Sequence, residues 1–265
     1  MSNTAIEYRH LLIEDRASIR IVTINRPDKL NALNRAVLEE LDAAFAQIAA
    51  DPNVRTVVLR GAGGKAFVAG ADIGELAALN PIQARDFSRC GQRMMRRIET
   101  LGKPVIAMIG GFALGGGMEL AMCCHLRIAA DTAKFGQPEI NLGVLPGFGG
   151  TQRLLRLAGR GAALELCLLG KPIDAQRAYE LGIVNRVVPP DQLEDTVFAL
   201  AAQFASAAPQ ALRGILDAIL VGGECGIEAG LDYETQAFAV CTSTKDMREG
   251  TAAFLERRKP VFNGD

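Results

Sequence analysis

The sequence has no tryptophan, few aromatic residues (5%) and only two histidines, His10 and His125. So few aromatic rings argue against a surface on which nucleic-acid bases stack. Because the chain also has no G-x-S-x-G segment, the sequence argues against a Ser-His-Asp hydrolase. The glycine-rich segments 61–65 and 115–117 form neither a phosphate loop ending in Gly-Lys-Ser/Thr nor a G-x-G-x-x-G pattern. Nucleotide hydrolysis and dinucleotide redox chemistry therefore have no motif in this chain.

An excess of charge of either sign is also lacking. The 29 Lys and Arg residues are balanced by 30 Asp and Glu, which gives a formal net charge of -1. This balance argues against nucleic-acid binding driven by counterion release, so we expect no nucleic-acid partner.

Long apolar runs are absent as well. The uncharged run over residues 104–118 has 15 residues with five glycines, short of the about 20 apolar residues that a membrane helix needs. Charged residues such as Glu7 and Arg9 interrupt the start of the chain, so it lacks the continuous apolar stretch of a secretory signal. We expect no membrane partner and a cytoplasmic location.

The cysteines show no metal-binding or disulfide spacing. No C-x-x-C pair occurs among the six, which indicates buried thiols rather than a zinc site or a disulfide framework. We therefore expect no bound metal. The cysteines are Cys90, Cys123, Cys124, Cys167, Cys225 and Cys241.

What the chain does contain is the composition of a folded protein. Its 265 residues, 49% apolar and 22% charged, suit one large or two small domains with a sizeable core. Since no linker or low-complexity segment interrupts it, we expect one globular unit.

Hydrophobic periodicity predicts the order of elements. Residues 19–25 alternate like a half-buried strand, and apolar residues at helical spacing predict a helix over 34–50. Short apolar runs predict buried strands over 56–59 and 105–109, each followed by glycine. This order favours a mixed α/β core with ligand-binding groups at the strand ends. From about Gly161 the pattern is mainly helical, over 163–169, 175–181, 192–207, 210–221 and 227–241.

The segment 110–122 holds the first candidate site. Three consecutive glycines, Gly115 to Gly117, follow a predicted strand and allow the backbone to approach a ligand closely. The next residues can start a helix whose first N–H groups are free to bind negative charge. If that charge is a carbonyl oxygen becoming an enolate, the segment is an oxyanion hole. A tight strand-to-helix turn without a ligand is the alternative.

Two glutamates are the candidate acid–base residues. Glu119 lies just inside this helix in an apolar stretch, where an unpaired carboxylate is costly. Glu139 follows one predicted strand later, over 125–129, and could return to the same pocket. Two carboxylates in one pocket separate their proton affinities, so that one holds a proton while the other stays ionised. Each glutamate alone could equally be a salt-bridged or capping residue.

A third segment surrounds Gly70, which permits an unusual backbone turn. Asp72, with Glu75 three residues later, is typical of a capping arrangement for the helix that follows. The structural interpretation is favoured for Asp72. The N–H groups just before the cap would form a second donor site facing the first.

At these residues the chain resembles the enoyl-CoA hydratases of the crotonase superfamily, over about Ile19 to Phe262. The segments that carry the resemblance are 25–33 (NRPDKLNAL), 69–73 (AGADI), 115–121 (GGGMELA), 135–139 (FGQPE) and 145–154 (LPGFGGTQRL).

The resemblance implies an α/β fold, a spiral of strand-strand-helix units with a helical C-terminal oligomerisation region. It places the spiral core over residues 1–200 and the helical region, packed on the core and on neighbouring subunits, over 201–265. It also implies a homotrimer or a dimer of trimers.

The same resemblance implies the chemistry. The backbone N–H groups of Ala71 and Gly116 would hold the thioester oxygen of an acyl-CoA. Glu119, as base, and Glu139, as acid, would together bind and add water across the C2–C3 double bond. Coenzyme A is part of the substrate, so no separate cofactor is expected.

Coenzyme A itself would be held at three places. These are the turn at Lys29, Leu30 and Asn31, the loop of Ala69, Gly70, Asp72 and Ile73, and the C-terminal residues Lys259 and Phe262, possibly from a neighbouring subunit.

Two residues depart from the family pattern. Gly74 stands where many relatives carry a lysine that contacts coenzyme A, and His125 stands where an acid is common. We expect a structural role for His125, because it opens a predicted strand beyond the Glu119 helix.

Hydration of a trans-2-enoyl-CoA is the leading hypothesis, because two glutamates suit the addition of water. A delta3-delta2 enoyl-CoA isomerase, which needs only one acid/base group, is the nearest enzymatic alternative. A non-catalytic or RNA-associated relative is the alternative of a different class, and the near-zero net charge disfavours it. The loop and helix over 75–90 are expected to form the end of the acyl pocket.

Overall fold

In the computed structural model, which describes residues 7–265, ten strands form two sheets. Residues 1–6, which belong to the predicted core region 1–200, lie outside the described residues. The strands are β1 (Leu11–Arg16), β2 (Ile19–Ile24), β3 (Thr56–Gly61), β4 (Ala66–Val68), β5 (Val105–Ile109), β6 (Phe112–Leu114), β7 (Leu126–Ala130), β8 (Lys134–Gly136), β9 (Ile173–Asp174) and β10 (Arg186–Val188).

Helices connect and cover these sheets. They are α1 (Arg35–Ala50), α2 (Ile73–Ala77), α3 (Pro81–Glu99), α4 (Gly116–Cys123), α5 (Gly150–Leu169), α6 (Ala175–Glu180), α7 (Leu193–Ser206), α8 (Pro209–Gly222), α9 (Ile227–Thr242) and α10 (Lys245–Glu256). Single 3-10 turns lie at Pro27–Lys29, Pro138–Leu142 and Pro190–Gln192.

The strands alternate between the two sheets. The larger sheet has the order β1-β2-β3-β5-β7-β10, parallel except for the β1–β2 hairpin. The smaller sheet has the order β4-β6-β8-β9, parallel except for β8–β9. Each of β3, β5 and β7 runs directly into a strand of the smaller sheet and then into helices. This repetition is the predicted spiral of strand-strand-helix units.

Both faces of the larger sheet are covered, which explains its continuous apolar strands. On one face, a large core cluster packs the sheet against α1, α3 and α4. On the other face, Val58, Ile106 and Ile128 pack against Val197 and Ala201 of α7. The runs at 56–59 and 105–109 are therefore strands buried on two sides.

The elements predicted from periodicity are present with small shifts. Helix α1 begins after Asn34, whose side chain accepts a hydrogen bond from the Val37 N–H at 2.9 Å. The predicted helix over 163–169 is the second half of α5, which is interrupted at Gly159 (φ +78°). The strands β1, β4, β6 and β8 were not predicted. Three of them have three residues each, too few to show a period.

The C-terminal helices leave the sheets after α7. The predicted boundary between residues 200 and 201 falls inside α7, which still packs on the larger sheet and ends at Ser206. Helices α8 and α9 contain no buried residue. Among residues 7–265, no single helix is long and apolar enough to span a membrane. The segments Pro190–Ser206 and Pro209–Gly222 reach the required length and apolar character only when taken as a pair, and the chain bends by 109° between them.

Candidate active site

The parallel pairing of the smaller sheet gathers the candidate segments. Strand β4 pairs with β6, and β6 pairs with β8, all in parallel. Parallel neighbours end at the same edge of a sheet, so the three loops that follow them leave side by side. These loops carry Ala71, Gly116 and Glu139, respectively.

The backbone pairing around Ala71 leaves the Ala71 N–H group without a protein partner among residues 7–265. Ala71 faces Leu33 in an isolated parallel bridge, formed by the Leu33 N–H to the Gly70 carbonyl (2.9 Å) and the Asp72 N–H to the Leu33 carbonyl (2.7 Å). Such a bridge uses the groups of the two flanking residues and leaves those of the central residue pointing outward. Gly70 has φ +111°, a conformation that favours glycine.

The Gly116 N–H is free for a different reason. Gly116 is the first residue of α4, and the first N–H groups of a helix have no partner within it. A Cβ atom on Gly70 would lie 3.8 Å from the Leu114 carbonyl oxygen, so the two loops are in contact. Among residues 7–265, neither the Ala71 N–H nor the Gly116 N–H donates a hydrogen bond to a protein group.

The glycines of α4 allow it to pack closely on β4. A Cβ atom on Gly117 would overlap the Val68 carbonyl, and Gly115 has φ +51°. This close packing places the start of α4 beside the end of β4.

Glu119 lies one turn into α4 and is only 1% exposed. Its Oε1 atom accepts hydrogen bonds from the backbone N–H groups of Phe148 (2.8 Å) and Gly150 (2.6 Å). Burial, and next the repulsion from Glu139, raise the pKa of Glu119 from 4.5 to about 7, while the two N–H groups and Arg153 act in the opposite direction.

Glu139 approaches the same place from the 3-10 turn after β8. A Cβ atom on Gly115 would lie 2.7 Å from Glu139 Oε1, so the carboxylate lies against the start of α4. Burial raises the pKa of Glu139 from 4.5 to about 7. The structure thus brings the two predicted glutamates together with the two free N–H groups.

Gln137 is bonded to Glu139 and was given no role by the sequence. With its amide nitrogen facing Glu139, it donates to Oε1 (3.1 Å) and Oε2 (3.0 Å). In this orientation its amide oxygen faces Gly150: a Cβ atom on Gly150 would lie 2.7 Å from that oxygen and 2.9 Å from Glu119 Oε1, so both side chains lie beside Gly150. Gln137 is fully buried. Its position two residues before Glu139 was the only signal in the sequence.

The Asp72 prediction is confirmed, and that for Glu75 is wrong. Asp72 is the N-cap of α2: its Oδ1 accepts from the Gly74 N–H (3.2 Å) and its Oδ2 forms an ion pair with Arg26 (3.0 Å). The hydrogen bond from Arg26 is the main reason that the pKa of Asp72 is lowered. Glu75 does not complete a capping box, because it accepts from the Arg35 N–H (3.0 Å) instead.

The turn at 29–31 lies beside the 69–73 loop. The Ala69 N–H donates to the Leu30 carbonyl (3.0 Å). Asn31, fully buried at φ +59°, fixes the turn by donating to the carbonyls of Ala62 (2.9 Å) and Ala66 (3.0 Å). Lys29, Leu30 and Ile73 remain exposed.

The two C-terminal candidates are not brought to this place within one chain. The Phe262 ring packs on α10 at Gly250, and the Asn263 N–H donates to Asp246 at 2.9 Å. Lys259 is exposed just beyond α10. Among residues 7–265, no hydrogen bond or ion pair joins Lys259 or Phe262 to the glutamates or to the 69–73 loop.

His125 has two buried backbone partners. Its Nδ1 accepts from the Val105 N–H (2.9 Å), and its Nε2 contacts the Glu99 carbonyl (3.0 Å). These contacts connect the start of β5 with the end of α3, and burial lowers the pKa of the ring. They support the structural role expected for His125. Within residues 7–265 no group of three His, Cys, Asp or Glu is arranged to hold a metal ion.

Comparison with known proteins gives consistent results. A family model described as enoyl-CoA hydratase/isomerase matches residues 14–265. A short-chain-enoyl-CoA hydratase from Clostridium acetobutylicum is 46% identical, over 96% of this chain and 97% of the relative. A crotonyl-CoA hydratase from Syntrophomonas wolfei is 45% identical, over 96% of this chain and 98% of the relative. The crystal structure of an enoyl-CoA hydratase from Bacillus anthracis, 42% identical, superposes with a TM-score of 0.94 over 97% of this chain and 100% of that one.

Proposed function

This chain belongs to the enoyl-CoA hydratase/isomerase family, and we propose that Glu119 and Glu139 form the acid–base pair of its reaction. The protein is an enoyl-CoA hydratase, a lyase that adds water reversibly to an enoyl-CoA. The observation that carries the residue assignment is that buried Glu119 and half-buried Glu139 lie together, beside two backbone N–H groups that have no partner among residues 7–265.

The N–H groups of Ala71 and Gly116 hold the thioester oxygen. As water adds to C3, negative charge moves onto that oxygen, and donors already fixed in place stabilise it without reorganising. The N-terminal end of α4 contributes partial positive charge at the same point. Losing one such donor typically costs about 100- to 1,000-fold in rate.

The two glutamates divide the proton transfers. Ionised Glu119 takes a proton from water as the oxygen bonds to C3, and protonated Glu139 gives its proton to C2. Because both carboxyl groups have a pKa near 7 and repel each other, the pair holds one proton over a range around neutral pH. Gln137, which donates to both oxygens of Glu139, orients that carboxyl group.

Two carboxylates distinguish this reaction from its nearest alternative. A delta3-delta2 isomerase moves one proton between two carbons and needs one acid/base group. Glu119 is held by two N–H groups at a place where it serves no structural ion pair, which supports its use in adding water. No observation favours the RNA-associated alternative.

Coenzyme A binds beside the oxyanion hole. The exposed residues Lys29 and Leu30 lie next to the 69–73 loop, and Ile73 is exposed within it. All three are within reach of an acyl-CoA whose thioester oxygen is bound at Ala71. Lys259 and Phe262 would have to come from a neighbouring subunit. Coenzyme A is part of the substrate, and no further cofactor enters the reaction.

The exposed apolar residues of the C-terminal helices support a homotrimer or a dimer of trimers. Ile219 is 69% exposed, Ile227 73% and Phe238 72%. An exposed apolar surface of this kind is typical of a protein–protein interface. The cytoplasmic location stays a prediction from the sequence.

The test is the loss of absorbance of the conjugated thioester when purified protein is mixed with crotonyl-CoA, repeated with a longer-chain enoyl-CoA. Rapid loss with 3-hydroxyacyl-CoA as the product is the expected result, and the two rates rank the chain-length preference. Double-bond migration without hydration would assign the site to the isomerase reaction.

A further inference from the structure

The turn over residues 147–150 determines where the Glu119 carboxylate points. Phe148 and Gly150 both direct their N–H groups at the same oxygen, Oε1, at 2.8 and 2.6 Å. Two N–H groups two residues apart can meet at one atom only if the backbone between them is sharply turned, and Gly149 has φ +103°. Anything that fixes this turn therefore fixes Glu119.

Arg153, in the first turns of α5, fixes the turn from its other side. Its Nη1 atom donates to the Phe148 carbonyl at 2.7 Å. Its Nε atom donates to Glu99 Oε1 of α3 at 2.5 Å. The side chains of Arg153 and Glu99 are only 14% and 15% exposed, so this ion pair is well shielded from water.

Helix α3 also holds Gly147, the residue before Phe148. Both Ser88 (2.5 Å) and Gln92 (3.0 Å) donate from α3 to the Gly147 carbonyl. Two consecutive carbonyls of the turn are thus bonded to groups outside it, while the N–H groups of Phe148 and Gly150 remain directed at Glu119. Of these outside groups, Arg153 is the one that is charged and contacts Phe148 itself.

We propose that Arg153 is a positioning residue for Glu119: held by Glu99, it fixes the Phe148 carbonyl and so keeps both N–H donors aimed at the carboxylate that activates water. Arg153 makes no hydrogen bond to either catalytic glutamate among residues 7–265 and acts through the turn. The proposal rests on the proposed function, since it concerns the base of the hydration reaction.

The charges around Glu119 indicate what the loss of Arg153 does to its titration. Arg153 lowers the pKa of Glu119, and Glu139 raises it. The other titratable groups of the surrounding elements are Glu99 and Cys123, which face Arg153, and Cys167, which faces the two glutamates. Removing the Arg153 charge leaves Glu139 as the main charge acting on Glu119, so the pKa of Glu119 rises further.

The experiment compares Arg153→Met and Arg153→Lys with wild type. We measure kcat and KM for crotonyl-CoA across the pH range, binding of butyryl-CoA, which has no double bond to hydrate, and thermal unfolding. Arg156→Met is the matched control, because Arg156 lies one turn further along α5 and pairs with Glu224 at the surface.

Arg153→Met is expected to lower kcat about 100-fold, as a displaced catalytic group does, with little change in KM or in butyryl-CoA binding. The acidic limb of its pH profile is expected at higher pH than in wild type. Arg153→Lys keeps the charge but has one nitrogen in place of the two that reach Glu99 and the Phe148 carbonyl, so the turn is held less well and kcat falls while the acidic limb stays in place. Arg156→Met is expected to behave like wild type.

A folded Arg153→Met protein with wild-type kcat and an unmoved acidic limb would overturn the proposal. If kcat falls only as much as the number of butyryl-CoA binding sites falls, and the acidic limb does not move, Arg153 serves folding alone. If Arg153→Met does not fold, Glu99→Gln decides by the same measurements, because it keeps the hydrogen-bond geometry and weakens the hold on Arg153. Wild-type protein that does not hydrate enoyl-CoA would instead reject the proposed function.

Discussion

At the scale of single residues, the property that matters most is that two carboxyl groups, buried Glu119 and half-buried Glu139, are largely removed from the water that would keep them ionised. Each has its pKa raised from 4.5 to about 7 by burial. This environment supplies an acid and a base of nearly matched strength near neutral pH, which is where proton transfer is most efficient. Environment, rather than residue type, distinguishes Glu119 and Glu139 from the other glutamates of the chain.

The first prediction concerns pH. Well below pH 7 both carboxyl groups are protonated and Glu119 cannot take a proton from water; well above pH 7 both are ionised and Glu139 has no proton to give. We expect a bell-shaped profile of kcat/KM for crotonyl-CoA with its maximum near pH 7. A rate that stays level well above neutral pH would contradict the acid role of Glu139.

The second prediction concerns Glu139→Gln. The amide cannot donate an acidic proton, so hydration is expected to fall by about 100- to 10,000-fold. Binding of butyryl-CoA, followed by calorimetry, is expected to remain, because the 29–31 turn and the 69–73 loop are untouched. Near-normal turnover in this variant would remove Glu139 from the mechanism, and loss of butyryl-CoA binding would mean that its role is structural.

The same substitution should stabilise the fold at high pH. Folding raises the pKa of Glu139 from its ordinary value of 4.5 to about 7, so its contribution to stability is lost as pH rises through that range. At about pH 8 this cost is on the order of 3 kcal/mol, which glutamine does not incur. We expect a larger free energy of unfolding for Glu139→Gln than for wild type at about pH 8, and a smaller difference at about pH 5.

Denaturant unfolding at the two pH values measures this difference. Glu165→Gln, at an exposed position of α5, is the control and should show no such dependence. An equal effect of both substitutions would mean that the pKa of Glu139 is not raised by its surroundings.

At the scale of elements, the site depends on how closely α4 packs on β4. Glycine occupies the contact at Gly117, because any side chain there would overlap the Val68 carbonyl. The same packing brings the Gly116 N–H beside the Ala71 loop. Backbone geometry, which Gly115 and Gly117 permit, thus determines the proposed oxyanion hole.

We therefore expect Gly117→Ala to lower both stability and activity. Overpacking at such a contact typically costs about 1–3 kcal/mol, and displacement of α4 moves the Gly116 donor and Glu119 together. Gly161→Ala is the control, because nothing lies within 4 Å of a Cβ atom there and alanine is the better helix former. The unfolding curves of the two variants should move in opposite directions from wild type, whereas hydration should fall in Gly117→Ala and stay unchanged in Gly161→Ala.

Gly116→Pro tests the donor itself. Proline has no N–H, so this variant lacks half of the proposed oxyanion hole. It also strains the turn, because a Cβ atom on Gly116 would lie 3.3 Å from the Phe148 ring. We expect hydration to fall about 100- to 1,000-fold. A folded variant with full activity would show that the Gly116 N–H does not bind the thioester oxygen.

At the scale of the whole molecule, the C-terminal helices expose several large apolar side chains. Helices α8 and α9 have no buried residue, and Phe254 in α10 is 83% exposed. In the proposed assembly, other copies of the chain cover this surface and supply Lys259 and Phe262 to a neighbouring site. Activity and assembly would then be linked.

Phe238→Asp is expected to reduce the sedimentation mass from that of three or six chains toward that of one. A charge placed in an apolar interface is left without its water or a partner. Leu12→Asp, at an exposed apolar position of β1, is the control and should leave the mass unchanged. A wild-type protein that sediments as one chain would reject the assembly.

The sequence by itself determined the elements with a clear period and the family to which the chain belongs, and it predicted the two glutamates of the proposed site. Helix α1 and strand β5 appear where apolar spacing predicts them, because their patterns are long or bounded by strong turn residues. The glycines before Glu119 indicated a site for developing negative charge, since only glycine allows so close a turn. The family resemblance then supplied the reaction.

Only the tertiary structure decided what surrounds those residues. Strands of three residues have no readable period, so β4, β6 and β8, whose pairing gathers the three loops, could not be predicted. The partners of Glu119 lie 29 and 31 residues away in the sequence, and Glu99 lies 54 residues from Arg153. Contacts of this kind depend on how the chain closes on itself, and no local pattern records them.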